Sequence, residues 1–155
     1  MLTFVDVESG AELEETRSLL VEYAESLNFN LCFQSFDDEL RTLPGVYAAP
    51  HGRLILAQVD GRAAGCIALK PLEATICEMK RLYVRPSFRG RQLGAALVSR
   101  AIDDARAGGY RSMRLDTIGR AMDHAIALYR SAGFQEIPSY YANPLPGALY
   151  FELTF

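Results

Sequence analysis

The chain has 155 residues, enough for one domain (residues 1–155) around one hydrophobic core. Half of them are hydrophobic and 23% are charged, the proportions of a globular protein, and a net charge of -3 with a pI near 5.4 argues against a nucleic-acid module. No apolar run approaches the ~20 residues of a membrane span, and the opening M-L-T-F-V-D-V-E lacks a basic segment followed by an apolar core, so no membrane association and a cytoplasmic location are expected. Cys32, Cys66 and Cys77 form no CxxC and no metal-ligand spacing. They read as buried thiols, and no metal is expected.

In chain order, Leu2–Val7 reads as a first strand. Ser9 or Gly10 then starts a helix with Leu13, Thr16, Leu20, Tyr23, Ala24 and Leu27 on one face and five glutamates elsewhere. Phe29, Cys32, Phe33 and Phe36 fall in an aromatic loop. A short helix over Asp37–Leu43 is expected next, opened by a Ser35/Asp38 capping box and closed by Pro44-Gly45. Gly52–Val59 and Arg62–Leu69 are strands around Asp60-Gly61, a strong hairpin signal. Pro71–Ala74 reads as a connection, and Thr75–Val84 as a long strand.

The stretch from Glu78 to Leu97, E-M-K-R-L-Y-V-R-P-S-F-R-G-R-Q-L-G-A-A-L, organises the rest. Pro86 ends the strand. From Leu93 the apolar residues Leu93, Leu97, Ala101 and Ala105 recur on one helical face, in a helix expected from Arg91 to about Ala107 and stopped by Gly108-Gly109. A loop at a helix start offers unpaired N–H donors and a positive dipole end to an anion. Between Met79 and Arg100 lie Lys80, Arg81, Arg85, Arg89, Arg91 and Arg100 and no acid. In an acidic chain this suggests a small polyanionic ligand; a solvated basic helix start with ordinary turn glycines is the equal alternative. The remaining elements are a strand over Arg111–Asp116, a helix over Met122–Ala132, a strand over Phe134–Ile137, a loop over Pro138–Gly147 and a closing strand over Ala148–Phe155.

V-R-P-S-F-R-G-R-Q-L-G-A-A-L resembles the coenzyme A pyrophosphate loop of the GCN5-related N-acetyltransferase (GNAT) superfamily, whose pattern is Gln/Arg-x-x-Gly-x-Gly/Ala. Gln92 stands where the family usually has Gly. A-I-A-L-Y-R-S-A-G-F resembles the same family's Asn-x-x-Ala-x-x-Leu-Tyr-x-x-x-Gly-Phe signature through Ala125, Leu128, Tyr129, Gly133 and Phe134, with Met122 in place of the Asn. The resemblance spans the whole chain. It implies the α/β GNAT fold, a mixed, mostly antiparallel sheet with helices on both faces in the order β-α-α-β-β-β-α-β-α-β-β. It also implies an acetyl-CoA-dependent N-acetyltransferase working by direct transfer in a ternary complex.

Carried over residue by residue, the resemblance implies that Arg89, Gly90, Arg91, Gln92, Leu93, Gly94 and Ala95 hold the pyrophosphate. The edge of Leu82, Tyr83 and Val84 would pair with the pantetheine amides, and an amide at or beside Val84 would polarise the carbonyl. Tyr129 is the expected acid. Glu78 is the expected base, with Asp116 as its competitor. Met122 has no side-chain amide to offer the pantetheine, so that hydrogen bond would be missing or supplied by Asp123 or His124. Phe33, Tyr140 and Tyr141 are expected to contact the acceptor, with Phe36, Arg41, Tyr47 and Asn143 nearby; equally, these aromatics can be core and Asn143-Pro144 an ordinary turn. The bulky segments favour a small-molecule amine. A protein N-terminus or lysine and a silent acyl-CoA-binding regulator are the alternatives. A nucleotide enzyme is disfavoured by the absence of Gly-Lys-Ser/Thr and of an acidic metal ligand beside the loop. The last hairpin leaves room for a homodimer.

Overall fold

The computed structural model describes residues 1–27, 35–118, 123–143 and 145–155. The elements are β1 (Leu2–Asp6), α1 (Gly10–Ser26), α2 (Phe36–Thr42), β2 (Arg53–Val59), β3 (Arg62–Glu73), β4 (Ile76–Val84), α3 (Leu93–Ala107), β5 (Ser112–Ile118), α4 (Asp123–Ser131), β6 (Gln135–Ile137) and β7 (Ala148–Thr154), with short 3-10 turns at Gly45–Tyr47 and Pro86–Phe88. The element order is the expected one. The strands form one sheet in the order β1-β2-β3-β4-β5-β7-β6. Only β4 and β5 run parallel; the other neighbours are antiparallel.

Strand alternation sends side chains to two separate cores. Ile55, Ala57, Ile67, Leu69, Cys77, Met79, Met113 and Leu115 meet Leu97, Val98, Ala101 and Ala105 of α3 and Tyr129 of α4 on one face. Leu54, Leu56, Cys66 and Ala68 meet Leu19 and Leu20 of α1 and Phe36 of α2 on the other. The central strands β2 and β3 are covered on both faces, which is why they read as continuous apolar runs.

Three local expectations are corrected. β3 continues to Glu73, and Pro71 lies inside it opposite Cys77. The β2 pairing ends at Leu69, so on that side Pro71 has no neighbour to which its missing N–H would be owed. The Ser35 capping box does not form: Ser35 has φ 55 and makes no side-chain cap bond, because a cap needs extended backbone to aim its hydroxyl. α3 starts at Leu93, not Arg91, because Gln92 before it is left-handed with φ 60. The Asp60-Gly61 hairpin forms as expected, both residues having positive φ.

Candidate active site

The site begins with an irregularity in β4. Lys80 pairs with Ala68 and Tyr83 with Cys66, so Arg81 and Leu82 together face the single residue Ile67. Arg81 has φ 62, an unfavourable backbone for a side chain of its size. This bulge resets the alternation. Met79 points to the α3 face, Lys80 and Arg81 both open to the α2 side, and Leu82 and Val84 return to the α3 face with Tyr83 opposite. Arg81 is buried. It donates from Nε and Nη2 to the two carboxylate oxygens of Glu39, each at 2.8 Å, and lies over the Phe36 ring. Opposite the bulge, a Cβ on Gly65 would sit 2.5 Å from the Tyr83 carbonyl oxygen, so the close approach of β3 requires glycine.

Beyond the bulge the sheet parts. β4 pairs with β5 only through Ile76↔Ser112, Cys77↔Met113 and Glu78↔Arg114. From there β4 keeps only β3 as partner and β5 only β7. The facing edges therefore carry strand N–H and C=O groups that no ladder uses, ready to pair with an extended ligand. A cleft of about 690 Å³ occupies the gap. Met79, Leu82, Val84, Ile118 and Ala125 give it apolar walls, and Asp116 and Tyr129 also line it.

The loop closes one end. Phe88 is buried beside Leu93 and anchors the 3-10 turn. Gly90, with φ 83, and Gln92 then turn the chain so that α3 begins at the cleft. The first amides of α3 have no helical acceptor, which makes this end suited to an anion. A Cβ on Gly94 would lie 3.2 Å from Cδ2 of Leu128, so this glycine lets α4 approach α3 closely.

The concentration of basic residues is smaller in space than along the chain. Arg81 is held by Glu39, Arg85 by Glu22, and Arg100 by Asp6 and Asp104. Arg89 and Arg91 have no carboxylate partner among the described residues. Arg89 donates to the Val84 carbonyl at 3.0 Å and Arg91 stacks on Phe88.

Tyr129 is 6% exposed, with its ring against Phe134 and Phe151. Burial first, then the charges of Tyr23 and Asp116, raise its hydroxyl above the ordinary tyrosine pKa, so it carries its proton at neutral pH. Asp116 stands on β5 where the strands part. It accepts from the Tyr141 hydroxyl and, at 3.1 Å, from Asn143 Nδ2.

A second cavity of about 550 Å³ lies on the α2 side of β4 and shares Lys80 and Arg81 with the cleft. Glu78, 3% exposed, lines it and accepts from the Tyr140 hydroxyl at 2.6 Å. Lys70 and Lys80 lie 3.6 and 3.9 Å from its other oxygen. Tyr140 and Tyr141 stack near Tyr150, whose hydroxyl donates to the Tyr141 carbonyl. Burial, then Glu78 for Tyr140 and Asp116 for Tyr141, raise both hydroxyl pKa values, so both remain donors.

Of the residues singled out in the sequence, Leu82, Tyr83, Val84, Arg89, Gly90, Gln92, Leu93, Gly94 and Tyr129 line the cleft, and Glu78, Tyr140 and Tyr141 line the second cavity. Arg91 and Ala95 line neither. Tyr47 lines the second cavity, Phe36 lies under Arg81, and Arg41 is exposed and pairs with Asp38. His124 lines the cleft. Phe33, like Phe29, Cys32 and Met122, lies outside the described residues. Sequence reading missed Glu39, the Arg81 bulge and the convergence of Lys70 and Lys80. The one available signal was the adjacent polar pair Lys80-Arg81, which breaks strand alternation. Among the described residues no group of three or more His, Cys, Asp or Glu could hold a metal, and no helix is long and apolar enough to cross a membrane.

The model of the acetyltransferase (GNAT) family matches residues 14–134. The chain is 41% identical to an uncharacterised N-acetyltransferase of Schizosaccharomyces pombe, over 92% of this chain and 88% of that one. An acetyltransferase of the GNAT family from Staphylococcus aureus superposes with a TM-score of 0.82 at 17% identity, covering 99% of both chains. The Salmonella typhimurium protein yncA, solved with its cofactor acetyl-CoA, superposes with a TM-score of 0.66 at 18% identity, over 99% of this chain and 93% of that one. With its parted strands and its loop at the start of α3, the chain belongs to the GNAT family of acetyltransferases.

Proposed function

We propose that the chain transfers an acetyl group from acetyl-CoA to the primary amine of a small molecule, directly and within a ternary complex. The cleft fits such a donor from end to end. The α3 amides with Arg89 suit a pyrophosphate, and the edge at Leu82–Val84, which no β5 ladder uses, suits the amides of a pantetheine arm. Bound there, acetyl-CoA would supply the thioester carbonyl.

The chain's own residues then have separate tasks. Amides of the Leu82–Val84 edge donate to the carbonyl oxygen as charge develops on it. Asp116 takes a proton from the acceptor ammonium. The amine nitrogen forms the new N–C bond as the C–S bond breaks, Tyr129 gives its proton to the departing sulfur, and the second proton that the nitrogen sheds on becoming an amide restores the Tyr129 hydroxyl. Glu78 belongs to the acceptor side, where it positions rather than deprotonates. Its lone pairs already face Tyr140 and two lysines. Direct attack is favoured because, among the described residues, the cysteines Cys66 and Cys77 are buried and burial pushes both thiols up to about 12, which suits neither to a covalent acyl-enzyme. The cover formed by Tyr140, Tyr141 and Asn143 favours a small acceptor over a polypeptide.

The observation that carries this reading is that Asp116 and Tyr129 line the cleft that opens where β4 and β5 separate. Amine-dependent release of the coenzyme A thiol tests it. Asp116→Asn is expected to lower kcat by about 100-fold or more, whereas Glu78→Gln raises the acceptor KM. If Glu78→Gln abolishes kcat and Asp116→Asn does not, the two roles are reversed. If no amine or peptide gives turnover while acetyl-CoA binds, the chain is a silent acyl-CoA-binding module.

A further inference from the structure

Six charged residues line the acceptor cavity: Asp38, Glu39, Lys70, Glu78, Lys80 and Arg81. Asp38 is matched by Arg41 on its own helix, and Glu39 by Arg81 in a two-point ion pair. Glu78 alone is shared by two cations. Its Oε2 is occupied by the Tyr140 hydroxyl, and its Oε1 faces Lys70 at 3.6 Å and Lys80 at 3.9 Å. Both distances exceed hydrogen-bond length. Neither lysine ammonium donates a hydrogen bond to the described residues. The side chain of Lys80 is 12% exposed, so water has little access to an ammonium with three donors to satisfy. Burial in turn lowers the Lys80 pKa, more than the charge of Glu78 raises it. This end of the site holds one cation in excess.

The other end holds the opposite. Asp116 accepts from Tyr141 and Asn143, which are neutral, and has no ion-pair partner among the described residues. Tyr140 and Tyr141 join the two ends, their ring centroids 5.6 Å apart, one hydroxyl on Glu78 and the other on Asp116. The anion without an ion pair, Asp116, lines the donor cleft, and the cation in excess is shared by Lys70 and Lys80 in the acceptor cavity, Lys80 lining both spaces and lying within reach of the Asp116 charge.

We propose that the acceptor is an amino acid, whose carboxylate is bound by Lys70 and Lys80 while its amine faces Asp116. This rests on the reading of the site as an amine acetyltransferase. A carboxylate would satisfy the unspent donors of both lysines and balance the extra charge, which an acceptor carrying only an amine leaves uncompensated. The same cation disfavours polyamines, and an internal lysine of a protein offers no carboxylate to it.

Matched acceptors test the subsite. Phenylalanine against phenethylamine, and leucine against isoamylamine, differ only in the carboxylate. With thiol release as readout, the amino acid of each pair should show a kcat/KM at least about tenfold higher. Lys80→Met should erase that preference through the acceptor KM, and Lys80→Arg should retain part of it. Lys70→Met, at the more exposed cation, should weaken the preference and serves if Lys80→Met does not fold. Calorimetric titration of phenylalanine into the protein saturated with coenzyme A reads the subsite without turnover. Binding that Lys70→Met or Lys80→Met abolishes supports the subsite even if nothing is acetylated, in which case the acetyltransfer reading fails and the subsite stands. Equal turnover of phenethylamine and phenylalanine overturns the subsite and leaves acetyltransfer intact. Neither binding nor turnover of any amino acid in a broad set also overturns it.

Discussion

Replacing Glu39 by Gln is predicted to cost about 3 kcal/mol of folding stability. The Arg81 side chain is 3% exposed and that of Glu39 12%, and the pair shares two 2.8 Å hydrogen bonds. Removing one partner of such a pair leaves the other charge buried and uncompensated, for which about 3–5 kcal/mol is typical. The lower end applies because Gln retains one acceptor oxygen, and because the stacking of Arg81 on Phe36 survives. That is a large share of the ~5–15 kcal/mol by which a domain is stable. The chain has no tryptophan, so urea unfolding followed by far-ultraviolet circular dichroism is the suitable assay. The double variant Glu39→Leu/Arg81→Met should return to within about 1 kcal/mol of the parent, since a buried pair replaced whole by apolar groups is nearly neutral. The acceptor KM should respond more than that of acetyl-CoA, because α2 lines the second cavity, the proposed acceptor side, and not the cleft. A loss below about 1 kcal/mol in Glu39→Gln, or a double variant whose loss is the sum of the two single losses, would refute the claim that this pair holds the bulge.

Two further outcomes follow from particular residues. All eight tyrosines have hydroxyl pKa values raised by burial first. Below pH ~10 they are neutral in both folded and unfolded chains, and above it the unfolded chain ionises first, so stability falls as pH rises past ~10. Ultraviolet titration should show Tyr47, Tyr129, Tyr140 and Tyr141 ionising only together with unfolding; all eight hydroxyls ionising before loss of circular dichroism would contradict this. Gln92→Gly should stabilise by about 0.5–1 kcal/mol, because relief of the left-handed strain at φ 60 outweighs the greater freedom of glycine in the unfolded chain. A lower denaturation midpoint in that variant would count against the described loop.

Much of the architecture was legible because it rests on local pattern. Alternation and helical periodicity set the order of the elements, Asp60-Gly61 the hairpin, and Arg89 to Gly94 the loop. Pro71 misled because strand breaking depends on whether a neighbour needs the N–H, which is decided by where β2 ends. Ser35 misled because its backbone is left-handed, so the capping spacing was present without the geometry. The bulge was out of reach for a deeper reason. A non-glycine residue adopts φ 62 only with outside support, and the support for Arg81 comes from Glu39, 42 residues earlier. Likewise Lys70 and Lys80 are ordinary strand lysines until pairing of β3 with β4 brings them to one oxygen of Glu78.

The central claim is that the hydroxyl of Tyr129 gives its proton to the leaving thiolate inside the cleft proposed to bind the donor. Tyr129→Phe tests it most directly, with acetyl-CoA affinity by calorimetry and kcat by amine-dependent thiol release measured on the same protein. The account predicts an unchanged affinity and a kcat lower by about 100-fold or more. An unchanged kcat at unchanged affinity would contradict it.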